Sequence, residues 1–199
     1  GQYSFLRSTV LPGIMSAAGR INVWSAGCSR GQEPYSIAIL LAETGAAHRA
    51  RILATDLDRE ALSLALRGGP YPADDLRTVP EDLKQRYFRK GEAGYLVSPQ
   101  LTKRVEFKEH NLLADRFEMG FDLICCRNVM IYFSSQVKND LFRKFHESLK
   151  PGGVLFIGGS ESLLGSGDLG FSREFGNFYR RAQEGAVIRP PGVTAMPRG

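Results

Sequence analysis

Cysteine, histidine and long apolar runs are scarce in this sequence, and each scarcity excludes a class of protein. The three cysteines, Cys28, Cys125 and Cys126, are odd in number and lack metal-ligand spacing, so we expect neither a disulfide framework nor a cysteine metal site. We predict buried, reduced thiols that act as small hydrophobic side chains in a cytoplasmic protein. His110 has no second ligand placed to help it, so we predict no metal site.

Membrane-spanning and secreted proteins are also disfavoured. No apolar run approaches the roughly 20 residues needed to cross a bilayer, and no secretory leader opens the chain. We therefore predict no membrane insertion. A chain of 199 residues, 43% of them hydrophobic, can bury a core, so we expect one domain with at most an appendage.

The charge of the chain is modestly positive. A formal net charge of +5 favours an anionic partner, which could be nucleic acid, a membrane surface or an acidic protein. The basic residues are not interleaved with the aromatic side chains of a base-stacking groove, so we expect no nucleic-acid partner.

The stretch INVWSAGCSRGQEPYS, residues 21–36, organises the chain. A short apolar run predicts a buried strand, Gly27 and Gly31 predict a turn, and Pro34 begins an apolar-periodic helix, where its missing N–H costs nothing. Strand, glycine turn and helix form the first unit of a Rossmann-type nucleotide site, although an ordinary strand-to-helix turn would have the same pattern.

Further strands end in polar residues. Residues 50–55 predict a second strand that ends at Asp56, where Rossmann-type proteins hold a ribose diol, whereas Asp58 suits the N-cap of the next helix. Asn111 and Arg127 each follow a later strand. Asn111 could pair with an adenine edge or close a turn locally. Because parallel strands present their carboxyl ends at one sheet edge, we expect Gly27, Asp56, Asn111 and Arg127 to share one cleft.

The remaining segments complete the predicted organisation. Residues 1–19 predict a short helix containing Val10, Leu11, Ile14 and Met15, with Pro12 in its first turn or breaking it. We predict a small inserted β-subdomain at about 86–108, a terminal antiparallel hairpin over 171–181 and a disordered tail over 183–199. Basic residues in and around the insertion form either a solvated face or a docking patch for an acidic partner: Lys84, Arg86, Arg89, Lys90, Lys103, Arg104 and Lys108.

The residue after the glycine turn distinguishes between two ligands. NAD favours G-x-G-x-x-G, but this turn has only Gly27 and Gly31 and is followed by Glu33. A carboxylate there would repel a pyrophosphate but suits an ammonium or a sulfonium. The pattern favours S-adenosylmethionine and makes an NAD oxidoreductase the least expected alternative.

Six motifs then make the sequence resemble one family. WSAGCSRGQEPYSIAILL, ATDLD, QRYF, HNLL, CRNVMIYF and LKPGGVLFIGGSESL occur in the order found in the chemotaxis receptor methyltransferases, the CheR-type protein-glutamate O-methyltransferases. The resemblance extends from Phe5 to about Arg181. The combination of AGCS-x-G-x-EPYS with CRNVMIYF is highly specific, because generic methyltransferases do not carry both.

The resemblance implies a fold, a reaction and a partner. The fold is a class I S-adenosylmethionine-dependent methyltransferase over 20–182, with a Rossmann-like, mostly parallel seven-stranded sheet, a terminal antiparallel hairpin and a small antiparallel β-subdomain. The reaction transfers a methyl group from S-adenosylmethionine to receptor glutamates, forming methyl esters and S-adenosylhomocysteine. The partner is the cytoplasmic domain of a chemotaxis receptor, bound through the β-subdomain.

The resemblance also implies a set of site residues. Arg7 and Tyr132 are expected to be catalytic: the arginine lies beside the cofactor and the tyrosine faces the site of transfer. Asp56 holds the ribose, and Glu33 contacts the cofactor. The complete set of expected cofactor contacts is Arg7, Ala26, Gly27, Glu33, Asp56, Asn111, Leu112, Cys126 and Arg127.

The sequence departs from the family pattern at several places. Leu6 and Ser8 flank Arg7 where phenylalanine and glutamate are usual, Tyr3 replaces a threonine, and Gln32 replaces an acid. The family typically carries an N-terminal helical domain that these residues do not include, and residues 1–19 are expected to be a remnant linker or helix that leads into the catalytic domain. The short stretch over 91–99 favours docking without a tethering peptide on the receptor. The alternatives are a methyltransferase for another substrate or a non-catalytic S-adenosylmethionine-binding module.

Overall fold

A seven-stranded sheet forms the centre of the molecule. The computed structural model describes residues 2–159, 161, 163 and 169–182. The strands are β1 Ile21–Ala26, β2 Ala50–Asp56, β3 Phe88–Gly91, β4 Gly94–Val97, β5 Val105–Glu109, β6 Phe121–Cys126, β7 Leu149–Ile157, β8 Phe171–Phe175 and β9 Phe178–Arg181. The main sheet has the order β5-β2-β1-β6-β7-β9-β8, and β3 pairs with β4 separately.

Helices cover this sheet. The α-helices are α1 Gln2–Phe5, α2 Leu11–Ala17, α3 Gln32–Glu43, α4 Arg59–Leu66, α5 Glu81–Tyr87, α6 Pro99–Thr102 and α7 Ser135–Ser148. The first five strands of the sheet order run parallel, and β9 and β8 are antiparallel. This arrangement agrees with the predicted mostly parallel sheet and its terminal hairpin.

Strand alternation divides the core into two apolar clusters. Val23 packs in one cluster with side chains of α2 and α3, whereas the next residue, Trp24, packs in the other with side chains of α7. Successive side chains of a strand point to opposite faces, so these clusters lie on the two sides of the sheet. Every residue of β6 is buried, as expected for a central strand of a parallel sheet.

The predicted β-subdomain extended too far along the chain. The antiparallel pair comprises only β3 and β4, whereas β5 pairs in parallel with β2, from Val105 opposite Ile52 to Glu109 opposite Asp56. Buried Val105 alternates with exposed Glu106, a pattern typical of a strand with one solvent-exposed face. An edge strand of the main sheet and a strand of a separate hairpin can both have this pattern, so the alternation does not distinguish them. The pairing carries residues 110–113 to the carboxyl edge of the sheet.

The N-terminal segment is more helical than predicted. A π-helical stretch, Leu6–Val10, joins α1 to α2, and the Leu11 N–H donates to the Leu6 carbonyl, five residues back. Pro12 has no N–H and its ring crowds the preceding turn, so the wider π-turn lets the chain continue without a break. The predicted tail at 183–199 lies outside the described residues.

The three thiols are buried and unbonded to one another, as predicted. Burial raises the pKa of Cys125 and Cys126 well above the usual range. Both thiols therefore stay protonated and act as small apolar side chains in the central strand.

Candidate cofactor-binding site

A cavity of about 1170 Å³ opens at the carboxyl ends of the parallel strands. Gly27, Asp56, Asn111 and Arg127 all line it, so the sheet brings together the four positions expected to share a cleft. They lie at or just after the ends of β1, β2, β5 and β6, and parallel strands all end at the same edge of a sheet. Glu33 and Leu112 line the same cavity.

The glycine turn after β1 is held by the protein itself. Gly27 has φ +77°, and a Cβ placed on it would overlap Cγ2 of Val129. The N–H groups of Gly27 and Cys28 both donate to the Thr55 carbonyl, and the Ser29 N–H donates to Oδ2 of Asp56 at 2.6 Å. These amides are therefore already engaged. A pyrophosphate would need them free, so the turn suits a ligand without phosphate.

Glu33 and Arg127 form the polar centre of the cavity. Ser25 Oγ donates to Oε1 of Glu33 at 2.7 Å, and Oε2 lies 3.7 Å from Nη1 of Arg127. Burial raises the pKa of the Glu33 carboxyl, and the Ser25 hydrogen bond and the Arg127 charge oppose that rise. The carboxylate is therefore only partly compensated by its neighbours, which favours a cationic ligand beside it.

Two aromatic rings hold Arg127 in place. Its guanidinium carbon lies 5.4 Å from the ring centre of Tyr3 and 4.8 Å from that of Phe156, and Nη1 donates to the Tyr3 hydroxyl at 3.3 Å. Its Nε is buried and has no partner among the described residues. A guanidinium beside a carboxylate that it compensates only in part fits the zwitterionic amino-acid end of S-adenosylmethionine, because each group can take the end of opposite charge.

Asp56 is fixed at the end of β2 by two backbone groups. Oδ2 accepts from Ser29, and Oδ1 accepts from the Asp58 N–H at 3.0 Å. Each carboxylate oxygen keeps capacity for a further hydrogen bond, as a ribose diol requires. Asp58 accepts from the N–H groups of Glu60 and Ala61, which confirms its predicted role as the N-cap of α4.

The segment after β5 forms the apolar end of the cavity. Oδ1 of Asn111 accepts from the Leu113 N–H at 2.9 Å, so the asparagine closes a turn locally, which was the second of the two alternatives for it. That turn does not use the side-chain NH₂ group, and Asn111 lines the cavity. Leu57 and Leu113 line the mouth of the cavity and are exposed, and they offer an apolar clamp for a flat base.

Several expected site residues lie elsewhere. Ala26 and Cys126 are fully buried at the ends of β1 and β6 and do not line the cavity. Arg7 is exposed on the π-helical stretch and is also absent from the described cavity wall. Tyr132 ends a short 3-10 turn, Met130–Tyr132, and its side chain lies outside the described part of the chain.

The sequence did not indicate some of the wall residues. Tyr3 lines the cavity although its replacement of the family threonine had put a contact there in doubt. Asn128, Val129 and Phe133 also line it, all from the loop after β6. The only signal for the loop was the CRNVMIYF motif. Asn128 has φ +59°, which asparagine tolerates better than most residues.

Fold and site together define a class of protein. The sheet order, the terminal hairpin, the acid at the end of β2 and the carboxylate in the first turn of α3 are those of a class I S-adenosylmethionine-dependent methyltransferase. The family model described as "CheR methyltransferase, SAM binding domain" matches residues 2–174, and the chain belongs to this family. The predicted family, fold and cofactor are thereby confirmed.

Curated relatives support the same assignment. A chemotaxis protein methyltransferase of Listeria innocua is 39% identical over 180 residues, which cover 89% of this chain and 68% of the relative. Chemotaxis protein methyltransferase 1 of Pseudomonas aeruginosa is 41% identical over 172 residues, covering 81% and 62%. The chain thus spans about two thirds of the length of these relatives.

Solved structures are more distant. StiE O-MT has a TM-score of 0.47 and 17% identity, covering 77% of this chain and 42% of that one. N-methyltransferase NodS of Bradyrhizobium japonicum, in complex with S-adenosylhomocysteine, has a TM-score of 0.44 and 17% identity, covering 76% and 58%. The family assignment rests on the sequence comparisons.

The described residues include neither a membrane-spanning helix nor a cluster of metal ligands. No described helix is both long and apolar enough to cross a bilayer. No group of three or more histidine, cysteine, aspartate or glutamate side chains in the same residues could hold a metal ion.

Proposed function

We propose that the chain transfers a methyl group from S-adenosylmethionine to glutamate side chains of a chemotaxis receptor, forming methyl esters. The curated relatives named chemotaxis protein methyltransferases support the receptor as the substrate. The Glu33–Arg127 pair in the cavity supports the cofactor, because it offers one group of each sign to the amino-acid end of the molecule. That pair is the observation on which the proposal depends most.

Different residues of the cavity bind different parts of the cofactor. Glu33 takes the ammonium and Arg127 the carboxylate, because these are the opposite charges within reach of each other. Asp56 takes the ribose hydroxyls through its two oxygens. Leu57, Leu112 and Leu113 cover the faces of the adenine, and the Asn111 NH₂ group meets an acceptor on its edge.

The reaction needs no strong base. When bound, the cofactor supplies an electrophilic methyl group on a positively charged sulfur. A glutamate acceptor has a pKa near 4.3 and is already ionised at neutral pH. His110, the histidine of the described cavity wall, packs edge-on against Trp24 with its Nε2 at 3.2 Å from the Arg116 carbonyl, and its role is structural.

Positioning and a dry wall provide the acceleration. Opposite charges combine as the acceptor is methylated, so a water-poor site does not stabilise the separated ions. Val129, Phe133 and Leu112 supply apolar surface for this. Holding the acceptor oxygen in line can contribute about 7–11 kcal/mol. In this proposal Tyr132 and Arg7 orient the incoming carboxylate or the amino-acid end of the cofactor.

The β3–β4 hairpin is the proposed docking surface for the receptor, without a tethering peptide. Arg89 and Lys90 lie on it, and both are exposed. Arg86 of α5 is a weaker candidate, because it is engaged by Glu43 at 2.7 Å and by Asp82 at 3.0 Å. A cytoplasmic location follows from the proposed substrate, the cytoplasmic domain of the receptor.

Radiolabelled methyl transfer to receptor-containing membranes tests the proposal. We expect label on the receptor that is released as methanol in base, because glutamyl esters are base-labile. Stable label, or label on nucleic acid, would indicate a methyltransferase with another substrate. Cofactor binding without any transfer would indicate a non-catalytic module.

A further inference from the structure

A buried carboxylate that the expected site did not include holds the cavity loop from behind. Glu161 follows β7 and is only 4% exposed. Its Oε1 accepts from the Met130 N–H at 2.8 Å, and its Oε2 accepts from the N–H groups of Asn128 at 3.2 Å and Gly158 at 2.7 Å. One side chain therefore joins the loop after β6 to the loop after β7.

The surroundings of Glu161 leave little room for movement. A Cβ on Gly158 would lie 2.7 Å from both Oδ1 of Asn128 and Oε2 of Glu161, so only glycine fits there. The Gly158 carbonyl accepts from Nδ2 of Asn177 at 2.7 Å and from the Glu161 N–H at 3.1 Å. The turn that carries Glu161 is thus fixed to the terminal hairpin.

The loop that Glu161 holds forms one wall of the cavity. Arg127, Asn128, Val129 and Phe133 line the cavity from it, and Val129 packs against the glycine turn on the opposite side. Two of the three N–H groups bound by Glu161 belong to this loop, on either side of Val129. A loss of these bonds would release the backbone that follows Arg127 and the apolar contact of Val129 with the glycine turn.

The chemistry of the contact explains why a glutamate stands there. All three partners donate, and only a carboxylate accepts at both oxygens. Glu161 forms no ion pair within the described residues, so its charge is used on backbone groups alone. A glutamine would turn an NH₂ group toward at least one N–H donor, and that donor would be left buried and unpaired.

We propose that Glu161 is a positioning residue that sets the cofactor-binding wall by fixing Asn128 and Met130, and through them Arg127 and Val129. Glu161 does not line the described cavity, so it acts through these residues and not on the cofactor or the acceptor directly. The inference rests on the proposed cofactor site for its effect on binding, but its effect on the loop is independent of any ligand.

The experiment compares Glu161→Gln with Glu118→Gln. Glu118 is a matched control, because it pairs with Arg51 at the opposite end of the sheet. We expect Glu161→Gln to weaken S-adenosylhomocysteine binding at least about tenfold by calorimetry, because it leaves a buried N–H of the cavity wall unpaired. Amide hydrogen exchange at Asn128 and Met130 should accelerate at least about tenfold relative to β1, and Glu118→Gln should change neither.

Each outcome has a distinct meaning. Unchanged exchange at Asn128 and Met130 in Glu161→Gln overturns the inference, and so does equal acceleration throughout the sheet, which would indicate a general loss of stability. Accelerated exchange without cofactor binding by the unmodified chain would support the loop role and count against the proposed function. If neither Glu161→Gln nor Glu161→Asp folds, exchange in the unmodified chain decides: unprotected amides at Asn128 and Met130 overturn the inference.

Discussion

The acidic side chains at the two ends of the central sheet have different kinds of partner. At the amino ends, Asp122 lies 2.8 Å from Nζ of Lys150, and Arg51 bridges Glu106 and Glu118, each at 2.8 Å. At the carboxyl ends, hydroxyl or backbone N–H groups hold Glu33, Asp56 and Glu161, and Arg127 lies 3.7 Å from Glu33. Glu109, at the end of the edge strand β5, is the exception, because it pairs with Arg59 at 2.7 Å. Within the described residues, the amino edge neutralises its acids in close ion pairs, whereas Glu33 and Asp56, which line the cavity, form no ion pair shorter than 3.7 Å and can meet a ligand.

The largest expected effect is the difference in stability between alanine substitutions at two glycines, one at each edge of the sheet. Gly27 and Gly45 have similar positive φ, +77° and +72°, but only Gly27 has a neighbour within 4 Å of its would-be Cβ. Gly45→Ala should cost about 1–2 kcal/mol of unfolding free energy through backbone strain alone. Gly27→Ala should cost about 1–3 kcal/mol more through overpacking against Val129, and it should also abolish cofactor binding.

Chemical denaturation and calorimetry with S-adenosylhomocysteine measure both effects. Equal losses of stability in the two alanine variants would show that the Val129 contact relaxes without cost. Retained binding in Gly27→Ala would show that the turn does not shape the cavity.

The next effect concerns the uncompensated acid. Glu33→Gln keeps the shape of the side chain but removes the charge that meets an ammonium. A hydrogen bond to a charged group contributes about 1.5–3 kcal/mol, so we expect cofactor affinity to fall about 10- to 150-fold. Glu118→Gln at the amino edge should leave the affinity unchanged. Calorimetric titration of both variants tests this, and equal affinities in the two would contradict the contrast between the edges.

Short sequence patterns predicted part of the carboxyl edge. The glycine turn, Asp56 and the Asp58 cap are local signals, because one stretch of chain carries the whole pattern. Contacts between distant segments were not predictable. Tyr3 meets Arg127 across 124 positions, and Glu161 meets Asn128 across 33. The strand β5 was assigned to the insertion because one-sided alternation does not say which neighbour a strand will pair with.

The expected role of Arg7 depends on the family resemblance alone. The family pattern predicts that Arg7→Ala lowers turnover, by about tenfold for a lost charge-assisted contact. The side chain is exposed, whereas Arg127 occupies the cavity. Steady-state kinetics of Arg7→Ala and Arg127→Ala compare the two. Full activity in Arg7→Ala, with a loss in Arg127→Ala, would move the proposed role from the π-helical stretch to the loop after β6.

Asp56→Asn should weaken cofactor binding less than Glu33→Gln does. An amide can still accept at one position from Ser29 or from a ribose hydroxyl, so only part of the interaction is lost. We expect the affinity for S-adenosylhomocysteine to fall about tenfold, close to 1.4 kcal/mol. Adenosine, which keeps the ribose but lacks the amino-acid end, should show the same fractional loss. An unchanged affinity in the variant would reject the ribose assignment for Asp56.

The smallest effect is a difference in the sign of the pH dependence at the two edges. Burial raises the pKa of Glu33, so the ligand-free folded state binds its proton more tightly than the unfolded chain does. The contribution of Glu33 to the free energy of unfolding therefore falls as the pH rises above the pKa that this side chain has in the unfolded chain. The hydrogen bond from Arg51 lowers the pKa of Glu118. The stabilisation that Glu118 contributes is therefore present above the pKa of this side chain in the unfolded chain, and it is lost as the pH falls through the folded-state pKa.

The two glutamine variants separate these signs. Glu33→Gln should melt at a higher temperature than the unmodified chain at pH 7, and this gain should shrink toward pH 4, where Glu33 becomes protonated in both states. Glu118→Gln should melt slightly lower at pH 7, by less than about 1 kcal/mol in stability because the ion pair is partly exposed. Thermal melts of both variants across pH 4–8 provide the measurement. A loss of stability at pH 7 in Glu33→Gln would mean that Ser25 and Arg127 already compensate the buried charge. The carboxyl edge would then be as neutralised as the amino edge, and Glu33 would have no charge left to attract a cation.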